Sequence, residues 1–184
     1  YKSLNENYIS RIKNNFLLPL PGADENFDLD ALKEKIEKYS LINHSMMREN
    51  YIHFLKAICP VADELGIRLA VHPDDPPFSV FGLPRIVSTA EDCHYIFDNV
   101  PNTSNGLCFC TGSFGARADN DLVNMIKHFG SRINFLHLRN TKRKDNGDFY
   151  EANHLEGDAD MYQIIKNIID IMQKENRSIP MRPD

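Results

Sequence analysis

The chain has 184 residues, 42% hydrophobic and 26% charged, an ordinary globular composition with enough length to bury a core. Its 26 acidic against 21 basic side chains leave a net charge of −5, which excludes nucleic acid as the main partner because phosphate binding needs a basic field. No apolar run reaches the roughly 18 residues of a membrane-spanning helix, so no membrane partner is expected.

The first residues, Tyr1-Lys2-Ser3-Leu4, lack a starting Met and the layout of a signal peptide, so part of the biological sequence is expected to be missing. Cys59, Cys93, Cys108 and Cys110 are spaced 34, 15 and 2 apart, which is no disulfide framework and points to a reducing cytoplasm.

In chain order, Leu17 to Gly22 reads as a strand and loop, and Asp30 to Tyr39 as a helix with Leu32, Ile36 and Tyr39 on one face. Ser45 to Leu65 is a helix carried by Tyr51, Phe54, Leu55, Ile58, Ala62 and Leu65, interrupted at Pro60 and closed by Gly66. Ile67 to Val71 is a β-prone run ending at His72-Pro73. Ser88-Thr89-Ala90-Glu91 has the capping-box pattern and opens the next helix.

Gly106 to Cys110 is a short strand, Asn120 to Phe129 a helix, and Arg132 to Leu138 a strand. Thr141 to Asp158 is polar and irregular, suited to a mobile loop over a site. Asp160 caps a helix running to about Glu175, and Ile179 to Asp184 resembles a last strand. Strand and helix in regular alternation imply an α/β fold with a parallel sheet and roughly four βα units. A closed (β/α)8 barrel takes about 250 residues. The expectation is one domain over 1–184, a partial TIM barrel supplying roughly its C-terminal half. Within it, 1–45 is less regular and 46–184 carries the βα units and the metal site.

Position carries the chemistry. His72, Cys110, His137 and Asp184 each finish a strand or strand-like run. In parallel α/β folds the strand C-termini open on one face, so these four would converge there. Two imidazoles, a thiolate and a carboxylate suit a divalent transition ion. Each residue alone has a plainer reading: a structural strand-end histidine, an inert buried thiol, a turn aspartate. Four such residues at one topological point favour a common site.

The local strings are distinctive: His72-Pro73-Asp74-Asp75-Pro76-Pro77, Cys110-Thr111-Gly112-Ser113, His137-Leu138-Arg139-Asn140 and Arg182-Pro183-Asp184, with Leu55-Lys56-Ala57-Ile58 and Arg85-Ile86-Val87-Ser88 between. They resemble the signature segments of the mannonate dehydratase family, over essentially the whole chain. The resemblance implies a TIM-barrel lyase of hexuronate catabolism that removes water from D-mannonate to give 2-keto-3-deoxy-D-gluconate. It implies Mn²⁺ or Fe²⁺, with His72, Cys110, His137 and Asp184 matching the ligands. In the family the Arg-Pro-Asp string continues with a His and a Gly, and that His is a candidate acid/base residue; here Asp184 is the last residue.

Sulfur ligation favours Fe²⁺ over Mn²⁺, and Zn²⁺ fits the same donors. Arg139 is expected to pair with the substrate carboxylate through its planar fork. Ser113 and Asn140 are expected on sugar hydroxyls, and Gly112 allows close approach of a ligand. Asp74 and Asp75 either orient a ligand imidazole or make the turn after His72. His154, on the long loop, is the acid/base candidate within the chain. Lys142, Arg143 and Lys144 are either a solvated face or a steering patch. A homodimer or higher homo-oligomer is the expected assembly. The alternatives are a metal-dependent TIM-barrel sugar isomerase or epimerase, against which a cysteine ligand counts, and an inactive truncated relative, against which retention of four ligands counts.

Overall fold

A computed structural model describes residues 5–16 and 29–184. The reading for Leu17 to Gly22 lies outside them. The chain divides into two compact units, one of Tyr1–Ile42 with Phe81–Leu83, the other of Asn43–Val80 with Pro84–Asp184. The first contributes helices α1 (Glu6–Phe16) and α2 (Leu29–Tyr39). No described helix is long and apolar enough to cross a membrane.

The second unit opens with α3 (His44–Glu64), capped by the Asn43 side chain accepting from Met46 N–H. Pro60 does not interrupt it. Proline costs a helix most where its ring and missing N–H cannot be accommodated, and here the residue lies on the exposed face. The buried stripe is Ile52, Leu55, Cys59 and Ala62, rotated from the expected one, so that Phe54 and Leu65 face outward.

Helix α4 (Ala90–Asn99) is capped by Thr89 rather than Ser88, with Asp92 as the reciprocal partner instead of Glu91. Asp92 wins because it is buried against Arg48 of α3, and one of its oxygens also collects Ser88 N–H, Thr89 N–H and the Thr89 hydroxyl.

A three-stranded parallel sheet follows: β1 (Leu107–Cys110), β2 (Ile133–Leu138) and β5 (Met181–Pro183), in the order β1-β2-β5. Short α5 (Thr111–Gly115), then α6 (Leu122–Phe129) and α7 (Met161–Lys174), connect it. Asp121 caps α6 and Asp160 caps α7, each accepting from the amide three residues on. Leu122, Met125, Ile126 and Phe129 join Met161, Ile164 and Ile168 in one core with Leu107, Phe109, Ile133 and Leu136 of the strands. The architecture is α/β with parallel strands and helices.

The expected strand Ile67–Val71 reduces to a single parallel bridge from Val71 to Leu107. Extended backbone still runs beside β1: Leu69 N–H donates to Ser104 O and Cys108 N–H to Val71 O, both at 2.8 Å. Beyond His72, Asp74 takes over. Its Oδ2 accepts from Ile86 N–H at 2.9 Å, Val87 N–H at 2.7 Å and the Ser88 hydroxyl at 3.0 Å. Asp74 therefore makes the turn rather than orienting an imidazole.

The connection expected as an irregular mobile loop holds an antiparallel hairpin, β3 (Asn140–Arg143) paired with β4 (Phe149–Ala152). Asp158 closes its base, pairing with Lys142 and accepting from Arg143 N–H, while Lys144 lies over the Tyr150 ring. Lys142 and Arg143 are thus tied to Asp158, while Lys144 stays exposed.

Asn140, 1% exposed, anchors the return segment. Its amide nitrogen donates to His154 O and Ala159 O, and its oxygen accepts from Thr141 N–H and Ala159 N–H. All four of its hydrogen-bonding positions are filled. In this structure all of them are taken by the protein's own backbone. A Cβ at Gly157 would run into this amide. Gly157→Ala is therefore expected to lower stability by about 1–3 kcal/mol, the cost of leaving buried polar groups unpaired, and to expose 153–159 to limited proteolysis; an unchanged melting temperature and digestion pattern would refute the anchor.

Candidate metal centre

Parallel register sets the centre. Cys110 of β1 lies opposite His137 of β2, and His137 opposite Arg182 of β5. His72 follows the bridge residue Val71 on the other side of β1. One donor atom each from His72, Cys110 and His137 lies within 4.8 Å of the others. Bonds of roughly 2.0–2.3 Å around a tetrahedral ion place donors about 3.5 Å apart, so small side-chain shifts would close the trio on a cation.

The tautomers follow from the partners. His72 Nδ1 is 2.7 Å from Pro73 O, which can only accept, so Nδ1 carries the proton and Nε2 presents a lone pair. That Nε2 faces His137 Nδ1 at 3.2 Å. His137 Nε2 is 2.9 Å from Asp184 Oδ1, yet it is buried and out of line for a hydrogen bond. An orphaned ring nitrogen beside a carboxylate, with a second imidazole and a sulfur converging, is what a cation would complete. The nitrogen, sulfur and oxygen donors suit a transition ion rather than a hard one.

Cys110 is fully buried and its sulfur caps α5. Burial opposes its ionisation, but the His72 ring and the Ser113 hydroxyl and amide outweigh that and bring the thiol down to about 7. The same sulfur, against a smaller opposing effect of burial, holds the His72 imidazole above its ordinary value. Asp184 is held below the carboxylate range by His137, against burial, with help from Arg182. The neighbouring Cys108 is pushed up to about 11 by burial and by Cys110, so a thiolate forms at position 110 and not at 108.

Of the expected site residues, His72, Cys110 and His137 are brought together, and Asp184 joins them through His137. Arg139 reaches the same place: its Nε is 3.9 Å from Asp184 Oδ2, buried and without a hydrogen bond. It occupies the space that a side chain at Gly112 would fill, so the close approach permitted there is by Arg139 rather than by a ligand. Ser113 is fully buried with its hydroxyl 3.3 Å from the Cys110 sulfur.

His154 is not gathered into the trio. Its Nε2 donates to Leu138 O at 2.8 Å, and the ring lines an apolar hollow with Leu155, Met161 and Ile165. Sequence reasoning missed Thr111, which accepts from Arg139 N–H and bonds the Arg139 carbonyl, steadying the turn after His137. The hydroxyls flanking Gly112 in Cys-Thr-Gly-Ser were its only mark.

The sequence matches the family described as D-mannonate dehydratase (UxuA) over residues 2–184. It is 43% identical over 190 residues to a mannonate dehydratase of Saccharophagus degradans, covering 100% of this chain and 48% of the relative. It is 44% identical over 180 residues to one of a Marinomonas species, covering 95% and 46%. The crystal structure of mannonate dehydratase from Streptococcus suis serotype 2 superposes with a TM-score of 0.78 at 34% identity, over 89% of this chain and 46% of that one. The chain spans about half the length of the curated relatives it matches. On this evidence the chain belongs to the D-mannonate dehydratase (UxuA) family.

Proposed function

We propose that the protein of which this chain forms part is a divalent-metal-dependent hydro-lyase converting D-mannonate to 2-keto-3-deoxy-D-gluconate and water. The convergence of His72, Cys110 and His137 at the C-terminal edge of a parallel sheet carries the proposal. The chain would supply roughly the C-terminal half of a TIM barrel; the parallel β1-β2-β5 order and relatives of about twice its length support that placement. Four free, buried cysteines suit a reducing cytoplasm.

The reaction takes the proton from C2 and the hydroxyl from C3, leaving an enol that becomes the 2-keto acid. The C2 proton is weakly acidic because the adjacent carboxylate is already negative. A bound divalent ion, Fe²⁺ or Mn²⁺ with Zn²⁺ also suited, supplies positive charge for the negative charge that develops. His72 through Nε2, Cys110 through its thiolate, His137 and Asp184 would hold it. Arg139 keeps its buried, unbonded Nε–H for a substrate carboxylate oxygen. His154 carries its proton on Nε2 at the Leu138 carbonyl; acid/base work would require the ring to leave that carbonyl.

The test is direct. Full-length protein loaded with Fe²⁺ or Mn²⁺ is expected to form a 2-keto-3-deoxy acid from D-mannonate, followed colorimetrically, and to stop on chelation. Loaded protein that leaves D-mannonate unchanged would overturn the reading.

A further inference from the structure

The sulfur at the centre is connected to groups that lie outside the set of metal donors. Ser113 N–H and the Ser113 hydroxyl each lie 3.3 Å from Cys110 Sγ. The same hydroxyl is 3.2 Å from Arg139 Nη2, and that nitrogen is 2.5 Å from Asp75 Oδ2. A guanidinium can only donate, so Ser113 Oγ accepts from Arg139 and directs its single proton to the sulfur. The direction of the chain is thereby fixed: Arg139 donates to Asp75 on one side and to Ser113 on the other, and Ser113 donates to Cys110.

The arrangement is built rather than incidental. Ser113 is fully buried, and the Arg139 side chain is half-buried against the bare backbone of Gly112. Arg139 N–H is held by Thr111 Oγ1 at 2.9 Å, which fixes where the side chain departs. Asp75 comes from a segment 64 residues away, just after His72. One ionic hydrogen bond thus joins the loop that follows one ligand to the hydroxyl that bonds another.

We propose that Asp75, Arg139 and Ser113 are positioning residues that form a one-way hydrogen-bond relay to the Cys110 thiolate, setting the affinity and electronic character of the bound ion. Partners behind the ligands orient them and tune their basicity, and their loss typically costs about 10–100-fold in metal affinity. The relay rests on the metal-centre reading, and the experiment separates the two.

Co²⁺ is the probe, bound to full-length protein, because the thiolate-to-cobalt charge-transfer band responds to hydrogen bonds at the sulfur. Ser113→Ala and Asp75→Asn are each expected to shift that band and to weaken Co²⁺ binding by about 10–100-fold. The double variant is expected to bind no worse than Ser113→Ala alone, since both changes cut one chain and cannot add. Cys110→Ser is expected to lose the band. Arg139→Lys keeps the charge without the fork and is expected to reproduce the Asp75→Asn shift, which serves if Asp75→Asn fails to fold. An unmoved band and wild-type affinity in the relay variants, with the band lost in Cys110→Ser, would overturn the relay and leave the centre standing. A band that survives Cys110→Ser would overturn the centre and the relay with it.

Discussion

Cys110→Ser is expected to leave the protein folded and to strip it of its metal. Serine is a good helix cap, and its oxygen can take over the bond from Ser113 N–H that the sulfur now accepts. Its hydroxyl does not ionise near neutral pH, however, whereas the Cys110 thiol is already brought down to about 7 by its neighbours. Loss of a direct ligand should exceed the roughly 10–100-fold cost of losing an outer partner, so metal affinity should fall by more than about 100-fold. Metal content after dialysis, with the melting temperature as the control for folding, decides it. A variant that keeps both metal and dehydratase activity would remove Cys110 from the ligand set.

Asp92→Ala should be the most destabilising single change away from the centre. The carboxylate is 4% exposed, pairs with Arg48, and satisfies three donors at the start of α4. Arg48 is left half-sheltered without its counter-ion, over the Tyr95 ring. Breaking such a buried pair from one side costs about 3–5 kcal/mol. At roughly 2–4 °C per kcal/mol for a chain of this size, the melting temperature should drop by about 10 °C.

The pH dependence has a definite sign. Burial alone would raise the Asp92 carboxyl, but Arg48 and the backbone donors outweigh it and the group sits below its ordinary value. A carboxylate depressed on folding contributes fully above its unfolded pKa of about 3.9 and loses that contribution as pH falls through the folded value. The stability gap between wild type and Asp92→Ala should therefore be constant above about pH 5 and shrink below about pH 4. A gap that widens with acid would contradict the pairing. The actual cap lies one residue beyond the pattern because the Ser88 hydroxyl donates to Asp74 Oδ2, leaving the Thr89 hydroxyl to accept from Asp92 N–H.

That case marks the limit of what the letters reveal. Asp160 was legible as a cap because the bond it makes is local, three residues along; Asp121 makes the same bond but was hidden behind a helix read from Asn120. The strand ends at Cys110 and His137 were legible because short apolar runs stop there and parallel topology aligns them. The β3–β4 hairpin was obscured by its Thr-Lys-Arg-Lys charges, although Asn146-Gly147 carried a turn signal. Asn140 looked like a ligand-binding amide because nothing in its flanks announces that His154 O and Ala159 O use up its donors. The Asp75–Arg139 contact left no trace in either local sequence, since it depends on the tertiary approach of distant segments.

Asp74 has a consequence for the kind of ion such a site accepts. The backbone beyond Val71 leaves the sheet, so the arm bearing His72 is moored to the Ile86–Ser88 segment through Asp74, whose Oδ2 accepts three bonds and whose N–H donates to Val87 O, while Cys110 and His137 ride on paired strands. Two donors are thus set on a stiff base and the third on a separately tethered arm. The bite between them can widen or narrow without breaking a strand ladder, which suits a centre that tolerates ions of differing radius.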